Sequence, residues 1–211
     1  MKSSSPIAEP IIAVALLAAG RGTRFGGAKL DADLAGKPVG SWAIEQADAL
    51  SWSRRFIVTS SDVPAFAAAH SGWKVLINPD AATGMGSSIA VAAKAAAGAD
   101  RLLILLADMP LIPASHLEEI AQGDAIAFTE YPAGRKGAPA AFPDRCFTRL
   151  AELTGDRGAA NIEWDEPIAA IPLPNPDCLR DIDTRQTLAA IRREIAPHQS
   201  GHAAAPEGPS A

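Results

Sequence analysis

Short unbroken apolar runs alternate along the chain with stretches whose apolar residues recur every three or four positions. The runs at 11–17, 55–60, 73–77 and 102–106 are too short for helices. They read as strands buried on both faces, because strands inside a parallel sheet show no in–out alternation. Runs at 125–130, 138–142, 167–171 and 179–182 read as later strands. Helical spacing covers 39–50, 63–69, 86–97, 114–122, 144–153 and 184–195, with a shorter helical turn at 158–163. Strand and helix alternate through the first half, which predicts an α/β fold with a mostly parallel sheet covered on both faces. Such sheets bind ligands beyond the carboxyl ends of their strands, so chemistry is expected in the loops that follow the strands.

A length of 211 residues fits one domain. The pattern divides it into an N-terminal extension at 1–10, a single domain at 11–196 and a tail at 197–211 rich in Ala, Pro, Gly and Ser. With 48% hydrophobic and 20% charged residues the chain is not disordered as a whole. A net charge of -5 leaves no positive surplus to neutralise a phosphate backbone, which argues against a nucleic-acid partner. Lys2 followed by the apolar run 11–19 has the outline of a secretory signal, but Pro6, Glu9 and Pro10 stand where its basic region belongs. The run is also far shorter than the roughly 20 residues of a membrane span. A buried strand and no membrane is the expectation. Cys146 and Cys178 match no zinc or redox spacing, which predicts a reduced, cytoplasmic protein.

Four segments carry candidate chemistry. The first follows the first strand and holds Gly20, Gly22, Gly26 and Gly27 among Arg21, Arg24 and Lys29, with no acid between Ile11 and Leu30. Glycines let backbone N–H groups approach a ligand, and uncompensated cations favour a polyanion such as a triphosphate. A phosphate-binding P-loop would need Ser or Thr after Lys29, where Leu30 stands, and a dinucleotide fingerprint would need glycine at Phe25. A solvated surface turn is the plain alternative. The second loop, at 78–89, opens an alanine-rich helix. Gly84, Gly86, Ser87 and Ser88 suit either a turn with a helix start or a helix N-terminus aimed at an anion. Asp108 ends the apolar run 102–107 just before Pro110. It is either a turn residue or a carboxylate that needs a cation, and magnesium favours carboxylate and phosphate oxygens together. Asp181 and Asp183 precede the last helix; two positions apart on a strand, both would face one site.

The segment Leu17-Ala18-Ala19-Gly20-x-Gly22-x-Arg24-Phe25-Gly26-x-x-Lys29-Leu30 resembles the signature loop of nucleotidyltransferases that activate sugars, isoprenoid precursors and molybdopterin. The spacing is most similar to the MobA-like and MocA-like molybdenum cofactor cytidylyltransferases. The resemblance implies a three-layer α/β/α, Rossmann-like fold of the nucleotide-diphospho-sugar transferase type. It implies that Lys29 and Arg24, with Arg21, contact phosphates, and that Leu17, Ala18, Ala19, Gly20 and Gly22 wrap the nucleotide. By the same resemblance Gly84, Ser87 and Ser88 touch base and ribose, and Asp108 and Asp183 hold Mg2+ or Mn2+, with Asp181 as a lesser candidate. Lys136, Gly137 and Asp156 fall on acceptor-binding segments, although Ala138 stands where the family has histidine. Trp164 could stack on a pterin or pack in the core, while His70, His116, His198 and His202 form no cluster and read as surface residues.

The implied reaction moves CMP from CTP to the terminal phosphate of a phosphorylated pterin, the molybdenum cofactor, with release of pyrophosphate. That phosphate is ionised near neutral pH, so positioning and charge neutralisation carry the catalysis and no general base is needed. Guanylyl-transferring relatives have Gly-Gly where this chain has Ala19-Gly20, and the Ala19 methyl favours the smaller base. Two other readings stay open: the same fold serving GTP, a sugar phosphate or methylerythritol phosphate, and a chaperone that delivers cofactor to a molybdenum hydroxylase.

Overall fold

The computed structural model describes residues 9–199. In chain order the elements are β1 (Ile12–Leu17), the short strands β2 (Asp33–Leu34) and β3 (Lys37–Pro38), α1 (Val39–Asp48), β4 (Arg54–Thr59), α2 (Ala65–Ala69) and β5 (Lys74–Ile77). There follow α3 (Met85–Ala95), β6 (Arg101–Leu106), α4 (Ala114–Ala121), β7 (Ile126–Tyr131), β8 (Arg135–Pro143), α5 (Phe147–Ala151), β9 (Ile168–Pro172) and α6 (Arg185–Gln199). The extension and tail expected at the two ends lie outside the described residues, apart from 9–10 and 197–199. No helix among the described residues is long and apolar enough to cross a membrane.

Seven strands form one sheet in the order β5-β4-β1-β6-β8-β7-β9. β8 runs antiparallel to both neighbours and every other pairing is parallel. The reversal follows from the tight connection at Pro132–Gly134, where Ala133 and Gly134 both take positive φ, too short for a parallel crossover. Helices cover both faces, as the unbroken apolar runs demanded. Val14 and Leu16 of β1 point into a core with Ile44 of α1, Leu117 of α4 and Ile191 of α6. Ala13, Ala15 and Leu17 point the other way, against Ile89 and Ala93 of α3 and Leu150 of α5.

Two expectations are corrected, and one hairpin was not foreseen. Residues 179–182 form no strand. A 3-10 turn at Pro176–Leu179 precedes them, with the Asn175 side chain accepting from the Asp177 N–H, and the chain then crosses the carboxyl edge of the sheet instead of joining it. The helix expected at 144–153 is a 3-10 turn, Asp144–Cys146, followed by the short α5. The hairpin β2–β3 shows no strand pattern because each strand has two residues; it is fixed by its turn, where Gly36 N–H donates to the Asp33 carboxylate.

Candidate active site

The first loop leaves β1 at the carboxyl edge and coils about one carbonyl, Gly22 O, which accepts from the N–H groups of Phe25, Gly26 and Gly27 at 3.0, 3.1 and 3.2 Å. Gly22 has φ 58, and a methyl there would meet Lys29 Cβ at 3.2 Å; both facts call for glycine. Phe25 and Leu30 are buried and anchor the loop to the core. Asp31 accepts from Ala65 N–H and Phe66 N–H at 2.9 and 2.8 Å, which ties the loop to the start of α2. Lys29, between these anchors, is only 9% exposed.

The Lys29 ammonium donates to Asp108 Oδ2 at 2.7 Å and to Asp183 Oδ1 at 2.9 Å. Arg24, 81% exposed, reaches the other oxygen of Asp183 at 3.4 Å. Burial pulls the Lys29 pKa down, but the charges and hydrogen bonds of Asp108 and Asp183 outweigh it, and the net shift is upward. Asp183 titrates below its ordinary value because Lys29 donates to it, with Arg24 assisting. Asp181 is pushed up by desolvation and then by the carboxylates of Asp183 and Asp108. A backbone bond explains how acids so far apart in sequence meet: Ile182 N–H donates to the carbonyl of Asp108 at 2.9 Å. The crossing segment is thereby pinned to the exit of β6, with Asp181 and Asp183 on either side of the pin.

Asn78 organises the second loop. Buried at the exit of β5, its side-chain amide donates to Ser87 Oγ at 2.9 Å and Ser88 Oγ at 3.0 Å, and its side-chain oxygen accepts from Asp80 N–H. Ser87 Oγ also lies within hydrogen-bond reach of the Asp80 and Gly84 carbonyls, so it is engaged within the loop. Ser88 lines the cleft. The segment 154–157 lies across the start of α3, where Gly86 N–H donates to the Gly155 carbonyl at 2.9 Å. A methyl on Gly84 would strike Asp156 and one on Gly86 would strike the Thr154 carbonyl, so the glycines permit this approach. They also bring Asp156 to the cleft. The role of Asn78 was not foreseen; a lone asparagine after an apolar run was its only signal.

These loops enclose a cleft of about 360 Å³ that gathers Leu17, Ala19, Gly20, Arg21, Gly84, Ser88, Asp108 and Asp156. A second lobe of about 560 Å³ shares Ala19, Gly20 and Arg21 and reaches Lys29. Ala18 is buried, its N–H donating to the Val58 carbonyl at 2.8 Å. Lys136 is exposed opposite Glu130. Gly137 packs against the Tyr131 ring and, with Ala138, lines a small apolar cavity that shares Met85 and Leu106 with the main cleft. A further cavity of about 770 Å³ is at the opposite edge of the sheet beside Ile12, Trp52 and Arg101, and contains none of the residues expected in the site.

Trp164 packs on Phe142 with ring centroids 5.6 Å apart and donates to the Ala159 carbonyl, so it lies half-buried against the core beneath α5. His116 is not a surface residue. It is 2% exposed, its Nε2 bonds Thr129 Oγ1 at 3.0 Å, and Nδ1 is buried without a partner. Burial holds its imidazole below the usual pKa.

Among the described residues no group of three or more His, Cys, Asp or Glu side chains is placed to hold a metal. Asp108 and Asp183 converge on one cation, and two carboxylates suit magnesium, which is commonly held by one or two of them together with substrate phosphates. The residues present therefore fit a divalent ion delivered with a nucleotide.

The profile of the MobA-like NTP transferase domain matches residues 14–165. The chain belongs to this family. A relative of the MobA-like chain is the purine catabolism protein PucB of Bacillus subtilis, 27% identical over 89% of this chain and 98% of its own. A nucleotidyl transferase from Methanothermobacter superposes with TM-score 0.75 at 19% identity, covering 89% of this chain and 99% of that one. The Rv0371C protein of Mycobacterium tuberculosis, solved in complex with manganese, superposes with TM-score 0.70 at 22% identity over 87% and 99% of the two chains. The MobA-like chain is thus a nucleotidyltransferase with a mostly parallel, Rossmann-like sheet.

Proposed function

We propose that this nucleotidyltransferase transfers CMP from CTP to the terminal phosphate of the molybdenum cofactor and releases pyrophosphate. The observation that carries the reading is the convergence of Lys29, Asp108 and Asp183 at a cleft walled by Ala19, Gly20, Arg21, Gly84 and Ser88. Backbone N–H groups of the first loop and the cations Lys29, Arg24 and Arg21 receive the triphosphate. Ser88 and Gly84 border the nucleoside, and the Ala19 methyl narrows the wall shared by both lobes, which favours cytosine. Asp108 and Asp183 would hold magnesium or manganese, which would supply charge neutralisation to the phosphates. Lys29 and Arg24 offset the charge that builds on departing pyrophosphate.

The acceptor enters over the opening of β8, past Asp156, Gly137 and Lys136. Ala138 leaves this wall apolar and removes the histidine contact of the family. A relative that matches over most of the chain is a purine catabolism protein; a molybdenum hydroxylase as the cofactor's destination is part of the proposal. The test is pyrophosphate release with CTP, GTP, ATP and UTP against purified molybdenum cofactor, with glucose 1-phosphate and methylerythritol phosphate as alternative acceptors. CTP with the cofactor is expected to lead; a clear preference for GTP, or turnover of a sugar phosphate in its place, refutes the reading.

A further inference from the structure

We infer that Lys29 is a displaceable internal counter-ion, whose ammonium must leave Asp108 and Asp183 before the pair can serve a divalent ion. The inference rests on the assignment of those two aspartates as metal ligands. The ammonium takes one oxygen of each carboxylate, at 2.7 and 2.9 Å. A magnesium ion needs oxygens at about 2.0–2.1 Å and would stand against the ammonium charge in the same gap. Arg24 cannot substitute as the obstacle, since it is exposed and touches only the outer oxygen of Asp183.

The lysine has somewhere to go. Its backbone is fixed by the burial of Phe25 and Leu30, while its stem has four rotatable bonds. Gly22 presents no side chain to Lys29 Cβ, so the stem can swing without moving the loop. Lys29 also lines the lobe that Ala19, Gly20 and Arg21 share with the main cleft, where triphosphate oxygens would accept its protons. Nucleotide therefore draws the ammonium off the aspartates and opens them to the ion. Through this one side chain the two ligands favour each other's binding, and the coupling acts equally in both directions. Metal alone meets a closed pair.

The experiment measures manganese(II) binding to the full chain by electron paramagnetic resonance and calorimetry, without nucleotide, for the wild type and Lys29→Met. Methionine keeps the stem and removes the charge. The variant is expected to bind manganese roughly tenfold or more tightly than the wild type, and manganese is expected to raise its melting temperature more than that of the wild type. Lys29→Gln, which keeps a polar end, serves if the methionine variant does not fold. Equal or weaker manganese binding by the variants overturns the proposal while leaving the metal site standing. If Lys29→Met/Asp108→Ala binds as tightly as Lys29→Met, or if no form binds manganese even with CTP, the metal assignment itself fails and the proposal falls with it.

Discussion

Replacing Gly84 by alanine probes how the second loop is built. Gly84 has φ 130 and ψ -179, a region essentially closed to other residues, and occupying it costs about 1–3 kcal/mol. The new methyl would also lie 2.5 Å from Asp156 N and against the Asp156 carboxylate. Segment 154–157 would have to lift, breaking the bond from Gly86 N–H to the Gly155 carbonyl at a further cost of about 1 kcal/mol. Together these give about 2–4 kcal/mol, or a melting temperature lower by about 4–16 °C in a domain of this size. Gly27→Ala is the control: its φ is also positive, at 97, but nothing lies within 4 Å of the added carbon, so it carries the strain without the collision. Thermal denaturation of both variants, with nucleotide affinity measured alongside, separates the two effects. Gly84→Ala should melt clearly below Gly27→Ala and bind CTP more weakly, because Gly84 and Asp156 both wall the cleft. Equal melting of the two variants would refute the reasoning.

Three further outcomes are expected. Asp108→Asn should lower kcat/KM for pyrophosphate release by about 10²–10³, since one of the two carboxylates facing Lys29 is lost; retention of full activity removes Asp108 from the mechanism. Phe25→Ala should cost about 3–5 kcal/mol in urea unfolding and raise the KM for CTP, because the ring anchors the first loop. His116 has a depressed pKa in the folded protein, whereas the unfolded chain titrates near the ordinary value of about 6.5. The unfolded state therefore binds more protons below that pH, so stability is complete above about pH 6.5 and falls as the solution is acidified. Urea midpoints at pH 7.5 and 5.5 should show a larger loss for the wild type than for His116→Gln, and an equal loss would exclude His116 as the source.

The parallel half of the sheet was legible because burial on both faces leaves unbroken apolar runs, and β1, β4, β5 and β6 each match one. The first loop was legible because its glycines and cations lack any acid among them. Its chemistry was assigned through resemblance, and the structure adds what spacing could not show: Lys29 turned onto Asp108 and Asp183. Residues 179–182 misled because Leu179 and Ile182 give the apolar signal of any short segment with one buried side. Ile182 is buried without belonging to a strand. His116 misled because its partner, Thr129 on β7, is distant in sequence and only the packing of α4 against the sheet brings them together. The contacts of Asn78 within its loop and of segment 154–157 with the start of α3 likewise carry no periodic signal in one sequence.

The reversed strand β8 divides the sheet into unlike territories. The four parallel strands on one side supply the exits for the first two loops and Asp108, while Gly137 and Ala138 stand on the reversed strand itself, in its hairpin with β7. If the proposed acceptor path over β8 holds, drift in that hairpin would retune which molecule accepts the nucleotide without touching Lys29, Asp108 or Asp183. A scaffold so partitioned lends itself to diversification by altering one flank, and chimaeras exchanging the β7–β8 hairpin between relatives offer a direct route to new acceptor preferences.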